Sequence, residues 1–139
     1  RLERTAEVAG IFVYDDFAHH PTAIRRTIDG MKARYPGERL IVALEPRSNT
    51  MKLGVHDDAL VEALSGADQI AVFRPDGVSA GFDSALAALA GKVSTYRQYD
   101  AMVDGLQSSL RSGDHMVFMS NGGFGAVRQK LTAALASSD

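Results

Sequence analysis

Three short stretches of the 139-residue chain concentrate groups capable of chemistry. The first, Asp15 to Thr22, reads D-D-F-A-H-H-P-T and sets two carboxylates beside two imidazoles. Gly or Asn would serve a plain turn better, so one reading is a polar ligand held at the start of a helix. The other is that Asp15 and Asp16 favour a helix N-terminus electrostatically while the His pair is solvated. No protein-only metal site is predicted, because neighbouring His side chains diverge and no Cys or suitably spaced third His completes a set. The second stretch, Glu45 to Lys52, reads E-P-R-S-N-T-M-K. Arg47 offers a bidentate fork and Lys52 a point charge among the polar groups of Ser48, Asn49 and Thr50, a set suited to a carboxylate or phosphate. An ordinary polar loop with Ser48 or Asn49 capping a short helix would use the same residues. The third, Ser120 to Gly125, reads S-N-G-G-F-G. Its glycines either let a ligand approach the backbone and meet N–H groups, or serve only a tight turn, and their spacing is not G-x-G-x-x-G. The chain has no Walker A motif and no Cys nucleophile, so catalysis by this chain alone is not expected. Of the other polar candidates, His56 should lie near a helix start and His115 near a strand start, both facing solvent, with Met116 and Met119 in the core.

Short runs rich in Val, Ile and Phe alternate with stretches of helical periodicity, the pattern of a parallel sheet covered by helices. The predicted fold is α/β, a Rossmann-like three-layer domain with a mostly parallel sheet of about six strands. Leu2 to Val8 and Ile11 to Tyr14, joined by a tight Ala9–Gly10 turn, should give it an antiparallel edge strand. A helix follows from Pro21 to Tyr35, with Pro21 in its first turn and Ile24, Ile28 and Met31 as its buried stripe. The same plan then predicts strands over 40–44, 70–73, 93–96 and 116–119 and helices over 57–64, 82–89, 99–110 and 125–135. The three chemical stretches fall after Tyr14, Leu44 and Met119, at strand carboxyl ends, where open α/β sheets bind ligands.

At 45% hydrophobic and 23% charged, the chain has the balance of one globular domain, residues 1–139. A net charge of −2 supplies no basic field for nucleic acid or for an anionic membrane, and no apolar run approaches a bilayer span. The absence of Cys rules out a disulfide framework and makes a cytoplasmic setting the expectation. Beginning on Arg1 inside an apparent strand, the chain reads as a domain excised from a larger protein.

D-D-F-A-H-H-P-T resembles the D-[DYF]-[YF]-[AG]-H-x-P motif that opens the C-terminal domain of Mur ligases and of folylpolyglutamate synthetases. Arg1, Leu2 and Glu3 are similar to the Arg, apolar and Glu residues just upstream of it, so the resemblance spans essentially the whole chain. It implies an ATP-dependent amide ligase that activates a carboxylate as an acyl phosphate for attack by an amine. The family's nucleotide-contacting residues fall on Arg1, Asp16 and His19. Its P-loop, its magnesium (Mg2+) ligands and its UDP-sugar site belong to central and N-terminal domains against which this one would pack. E-P-R-S-N-T-M-K and S-N-G-G-F-G resemble the murein peptide ligase branch, which joins UDP-N-acetylmuramate to the tripeptide L-alanyl-γ-D-glutamyl-meso-diaminopimelate recovered from old peptidoglycan. By analogy with the diaminopimelate-adding branch, peptide contacts would come from Arg47, Ser48, Asn49, Thr50, Lys52, Arg74, Asn121, Gly122 and Gly123. The Asp-Asn-Pro-Arg motif of that branch is replaced by Arg74, Pro75, Asp76 and Gly77.

Other readings are an L-alanine-adding ligase, a free-standing nucleotide-binding or regulatory module, and a phospho-receiver domain. The alanine-adding branch carries a His-Arg-Tyr-Thr-Arg-like string after the Pro, from which Pro46 to Thr50 departs. The receiver needs an Asp after its third strand and a Lys after its last, where Arg74 and Ser120 stand.

Overall fold

The computed structural model describes residues 2–17, 20–46, 57–74, 80–89, 91–120 and 124–137. Two antiparallel strands open it, β1 (Glu3–Val8) and β2 (Ile11–Asp16). Ala9 and Gly10 between them both take positive φ, 53° and 77°, the geometry that two-residue hairpin turns require. Helix α1 (Pro21–Arg34) begins on Pro21, and the His20 side chain caps it by accepting from the Thr22 N–H at 3.4 Å. Its buried residues Ile24, Ile28 and Met31 recur at helical spacing. Strand β3 (Leu40–Leu44), helix α2 (Asp57–Leu64), strand β4 (Gln69–Phe73), helix α3 (Ala80–Ala87) and strand β5 (Val93–Tyr96) continue the alternation. Helix α4 (Tyr99–Ser109), strand β6 (His115–Met119), a single 3-10 turn and helix α5 (Val127–Ala136) complete it.

The six strands lie in the order β1-β2-β6-β3-β4-β5, with only the β1–β2 pair antiparallel. Period-two alternation divides the core. Val42, Leu44, Val117 and Met119 point to the face covered by α1, α2 and α3, whereas Ile41, Ala43, Met116 and Phe118 point to the face covered by α4 and α5. The predicted α/β class, the sheet of about six strands, the antiparallel edge and the two core methionines therefore all hold. Boundaries differ at strand ends and helix starts: β2 runs on to Asp16, α3 begins at Ala80, and α5 begins after Ala126, which sits at φ 60°. Among the described residues no helix is long and apolar enough to cross a membrane.

His115 does not face solvent as expected; it is 2% exposed. Its ring stacks against Phe12 and Tyr35 at centroid distances of 4.9 and 4.2 Å. Its Nδ1 lies 2.9 Å from the Tyr14 hydroxyl and its Nε2 2.8 Å from the Glu38 carboxylate. With both ring nitrogens partnered, burial leaves no unsatisfied polar atom. His56 lies outside the described residues.

Candidate functional site

Strands β2, β6 and β3 end level with one another. Asp16 and Leu44 both pair in register with Met119, so Asp16, Ser120 and Glu45 emerge side by side at the carboxyl edge. The Ser120 N–H donates to the Asp16 carbonyl at 3.3 Å and the Glu45 N–H to the Met119 carbonyl at 3.1 Å, which locks the three ends together. Beyond this point the connections part. The chain leaves β2 and β3 for the face of α1 and α2, and leaves β6 for the face of α5. Such a divergence opens a crevice between adjacent strand ends, the usual ligand position in open α/β sheets.

At the floor of the crevice is a buried polar cluster. Glu45 and Ser120 are 3% and 4% exposed. The Ser120 hydroxyl donates to Glu45 Oε1 at 3.1 Å, and the Tyr99 hydroxyl donates to Oε2. Tyr99, at the start of α4, also stacks on Phe73 at 4.1 Å, which extends the cluster to the end of β4. All three polar residues make further interactions, and no buried side-chain nitrogen or oxygen among the described residues lacks a partner. A carboxylate held this way can fix the start of the chain after β3 relative to the chain after β6.

The Asp15 to Thr22 motif begins beside this cluster. Asp16 is 2% exposed, and its Oδ2 accepts from the Thr27 hydroxyl at 2.5 Å, so the carboxylate ties β2 to the second turn of α1. Asp16 and His20 take part in further interactions. Phe17, next to Asp16, is 61% exposed. At the end of β4 the Arg74 N–H donates to the Tyr96 carbonyl at 2.8 Å, while its guanidinium grips Asp83 through two bonds of 2.7 Å. That fork holds the Asp83 carboxyl below the ordinary carboxylate range. Arg74 thus stands on the expected edge with a carboxylate of α3 already in its fork.

Of the residues marked by sequence, Asp16 and Arg74 are placed at this edge, with two strands between them. Arg1, His19, Arg47, Ser48, Asn49, Thr50, Lys52, Asn121, Gly122 and Gly123 lie outside the described residues. Glu45, Ser120 and Tyr99 were missed as a set. Glu45 carries one signal that could have marked it: a carboxylate directly after the wholly apolar strand 40–44 and directly before Pro46, where it is held near the core. Among the described residues no group of three or more His, Asp and Glu could hold a metal ion.

Known proteins resemble the chain over nearly all of its length. The family described as "Mur ligase, glutamate ligase domain" matches residues 1–122. The UDP-N-acetylmuramate–L-alanyl-γ-D-glutamyl-meso-2,6-diaminoheptandioate ligase of Escherichia coli (strain K12) is 40% identical over 137 residues, which cover 98% of this chain and 30% of that protein. The chain therefore spans about a third of its relative's length. A crystal structure of a murein peptide ligase from Psychrobacter arcticus 273-4 superposes with a TM-score of 0.86 at 38% identity, over 99% of this chain and 30% of that one. An isolated domain from Haemophilus ducreyi 35000HP, ascribed to a ligase of the same kind, superposes with a TM-score of 0.82 at 39% identity. It covers 98% of this chain and 100% of the solved one.

Proposed function

The chain belongs to the Mur ligase family, and from that membership we propose that it is the C-terminal, ATP- and peptide-binding domain of a murein peptide ligase. In this reading the complete enzyme joins UDP-N-acetylmuramate to L-alanyl-γ-D-glutamyl-meso-diaminopimelate during peptidoglycan recycling in the cytoplasm. The sugar carboxylate takes the γ-phosphoryl group of ATP and releases ADP. The tripeptide amine then attacks the acyl carbon, phosphate leaves, the amine loses a proton and an amide remains. The present chain supplies no step of bond making. It carries residues that hold and orient the two partners when the domain closes over them.

The observation that carries this reading is the shared edge. The motif after β2, the polar segment after β3 and the glycine-rich segment after β6 all start from adjacent strand ends. Glu45 and Ser120 bond across the last two starts. The residues proposed for nucleotide are Arg1, Asp16 and His19. The peptide set is Arg47, Ser48, Asn49, Thr50, Lys52, Asn121, Gly122 and Gly123, with Arg74 further along the edge. Magnesium would ride with the nucleotide on residues of the other domains, as the family resemblance implies.

The test is substrate choice by the complete enzyme. The tripeptide should be ligated to UDP-N-acetylmuramate with ATP consumed in step, and free L-alanine should be a poor substitute. Preference for free L-alanine would reassign the domain to the alanine-adding branch.

A further inference from the structure

On the side of α1 nearest β1 lies a cavity of about 380 Å³ that the ligase reading does not use. It falls within the range of small-molecule pockets, roughly 300–1,000 Å³. Leu2, Met31 and the tyrosines Tyr14 and Tyr35 line it, together with Arg26 and Arg34. Helical spacing explains the arrangement: Arg26, Gly30 and Arg34 form one stripe of α1, four residues apart, and Thr27, Met31 and Tyr35 form the next. The outer stripe is therefore a cation, a gap and a cation.

Gly30 is the gap. A Cβ built on it meets nothing within 4 Å, and its φ lies outside the left-handed region, so neither crowding nor backbone conformation calls for glycine there. Glycine in a helix interior weakens the helix. The local effect of the missing side chain is to leave the cavity open.

Arg25, Lys32, Arg39, Arg74 and Lys130 each reach a carboxylate. Among the described residues Arg4, Arg26 and Arg34 form no ion pair. Arg34 lies 5.5 Å from the Tyr35 ring centroid. Arg4 lies over Phe12 and Tyr14 at 4.9 and 5.7 Å, with its Nη2 3.5 Å from the Tyr35 hydroxyl. Three unpaired guanidinium groups beside apolar and aromatic walls make a local positive field on a chain whose net charge is −2. Burial, and then the neighbouring Tyr35 hydroxyl, hold the Tyr14 phenol above its ordinary range, so it stays neutral.

We propose that this cavity binds a small organic anion with a ring-sized apolar body, the body against Met31 and the tyrosine rings and the anionic group at Arg26 and Arg34. A simple inorganic anion would leave the apolar walls wet, and a neutral apolar molecule would leave the guanidinium groups unanswered. Carboxylate or sulfonate on an aromatic frame satisfies both.

The probe is 8-anilinonaphthalene-1-sulfonate, titrated by fluorescence into the 139-residue chain; the separately solved Haemophilus ducreyi domain shows that a domain of this kind folds by itself. One equivalent should bind saturably to protein that melts cooperatively. Gly30→Leu, which fills the gap and leaves the charges, and the double variant Arg26→Gln with Arg34→Gln, which leaves the shape, should each weaken binding at least about tenfold without lowering the melting temperature. The complete ligase should bind the probe with the same sensitivity. Absence of saturable binding up to about 1 mM, or wild-type binding by both variants, overturns the proposal. Binding to the separate domain that vanishes in the complete ligase also overturns it, because another part of the enzyme then covers the cavity.

Discussion

Glu45 accepts from two hydroxyls, one at the end of β6 and one at the start of α4, and its removal should be felt twice. Glu45→Ala leaves the Ser120 and Tyr99 donors without their buried acceptor, and the domain should lose about 1–3 kcal/mol in urea unfolding. In the complete enzyme the same change should raise the KM for tripeptide more than that for ATP, since it loosens the chain after β3 and after β6. Arg47→Ala should act more directly on tripeptide: about 2–5 kcal/mol lost from its kcat/KM, with ATP spared, if a desolvated carboxylate is left unpaired. Wild-type tripeptide efficiency in Arg47→Ala, Lys52→Ala and Asn121→Ala together would assign those residues to a solvated connection. At this scale the sequence was legible in part. It marked Asp16 and Arg74 by type and position, and both stand on the carboxyl edge. What it could not show is the partner of each, because Tyr99 meets Glu45 across 54 positions and Tyr14 meets His115 across 101. His115 looks like a surface residue until three rings and two hydrogen-bond partners from distant segments close around it.

Helix α1 shows the opposite balance between sequence and structure. Its start at Pro21 and its apolar stripe are local properties, and each is readable in a single window, whereas the His20 cap was not read. Gly30 is the exception, a residue that costs helix stability with no neighbour to excuse it. Gly30→Ala should therefore raise unfolding stability by about 0.5–1 kcal/mol, measurable as a higher urea midpoint at unchanged slope. Helix and sheet are also tied electrostatically. Burial alone would raise the Asp68 carboxyl, but Lys32 of α1, the Leu40 N–H and Lys92 together hold it below its ordinary value. A carboxyl lowered on folding gives stability that is complete above its unfolded pKa, about 3.9, and is lost as pH falls through the folded value. Asp68→Asn should lower stability at neutral pH and flatten the acid side of the pH–stability curve below about pH 4. An unchanged acid limb in thermal melts would show the tie to be without weight.

For the molecule as a whole, fold class followed from the alternation of apolar runs with helical stretches, because one strand feeding one helix leaves few layer arrangements. The order of strands did not follow, since no local signal shows that the last strand inserts between the second and third. The function divides in the same way: the motif was readable, while the cleft proposed for it would need domains beyond this chain, which spans about 30% of its relative. The 139-residue chain should fold and still neither hydrolyse ATP nor form an amide, having no phosphate-binding loop of its own. Turnover by this chain in a coupled ADP assay, free of contaminating ligase, would refute that.

The place of β6 has a consequence for how the domain is made. Until Met119 has left the ribosome, β1–β2 and β3–β4–β5 are two separate ribbons, each offering an unpaired parallel-facing edge where β6 belongs. A nascent chain stalled or truncated before His115 should therefore be sticky rather than merely incomplete, and should pellet with chaperones. One extended through α5 should be released folded. The edge that would receive substrate is thus completed only when β6 inserts between β2 and β3, after every other strand of the sheet has been made.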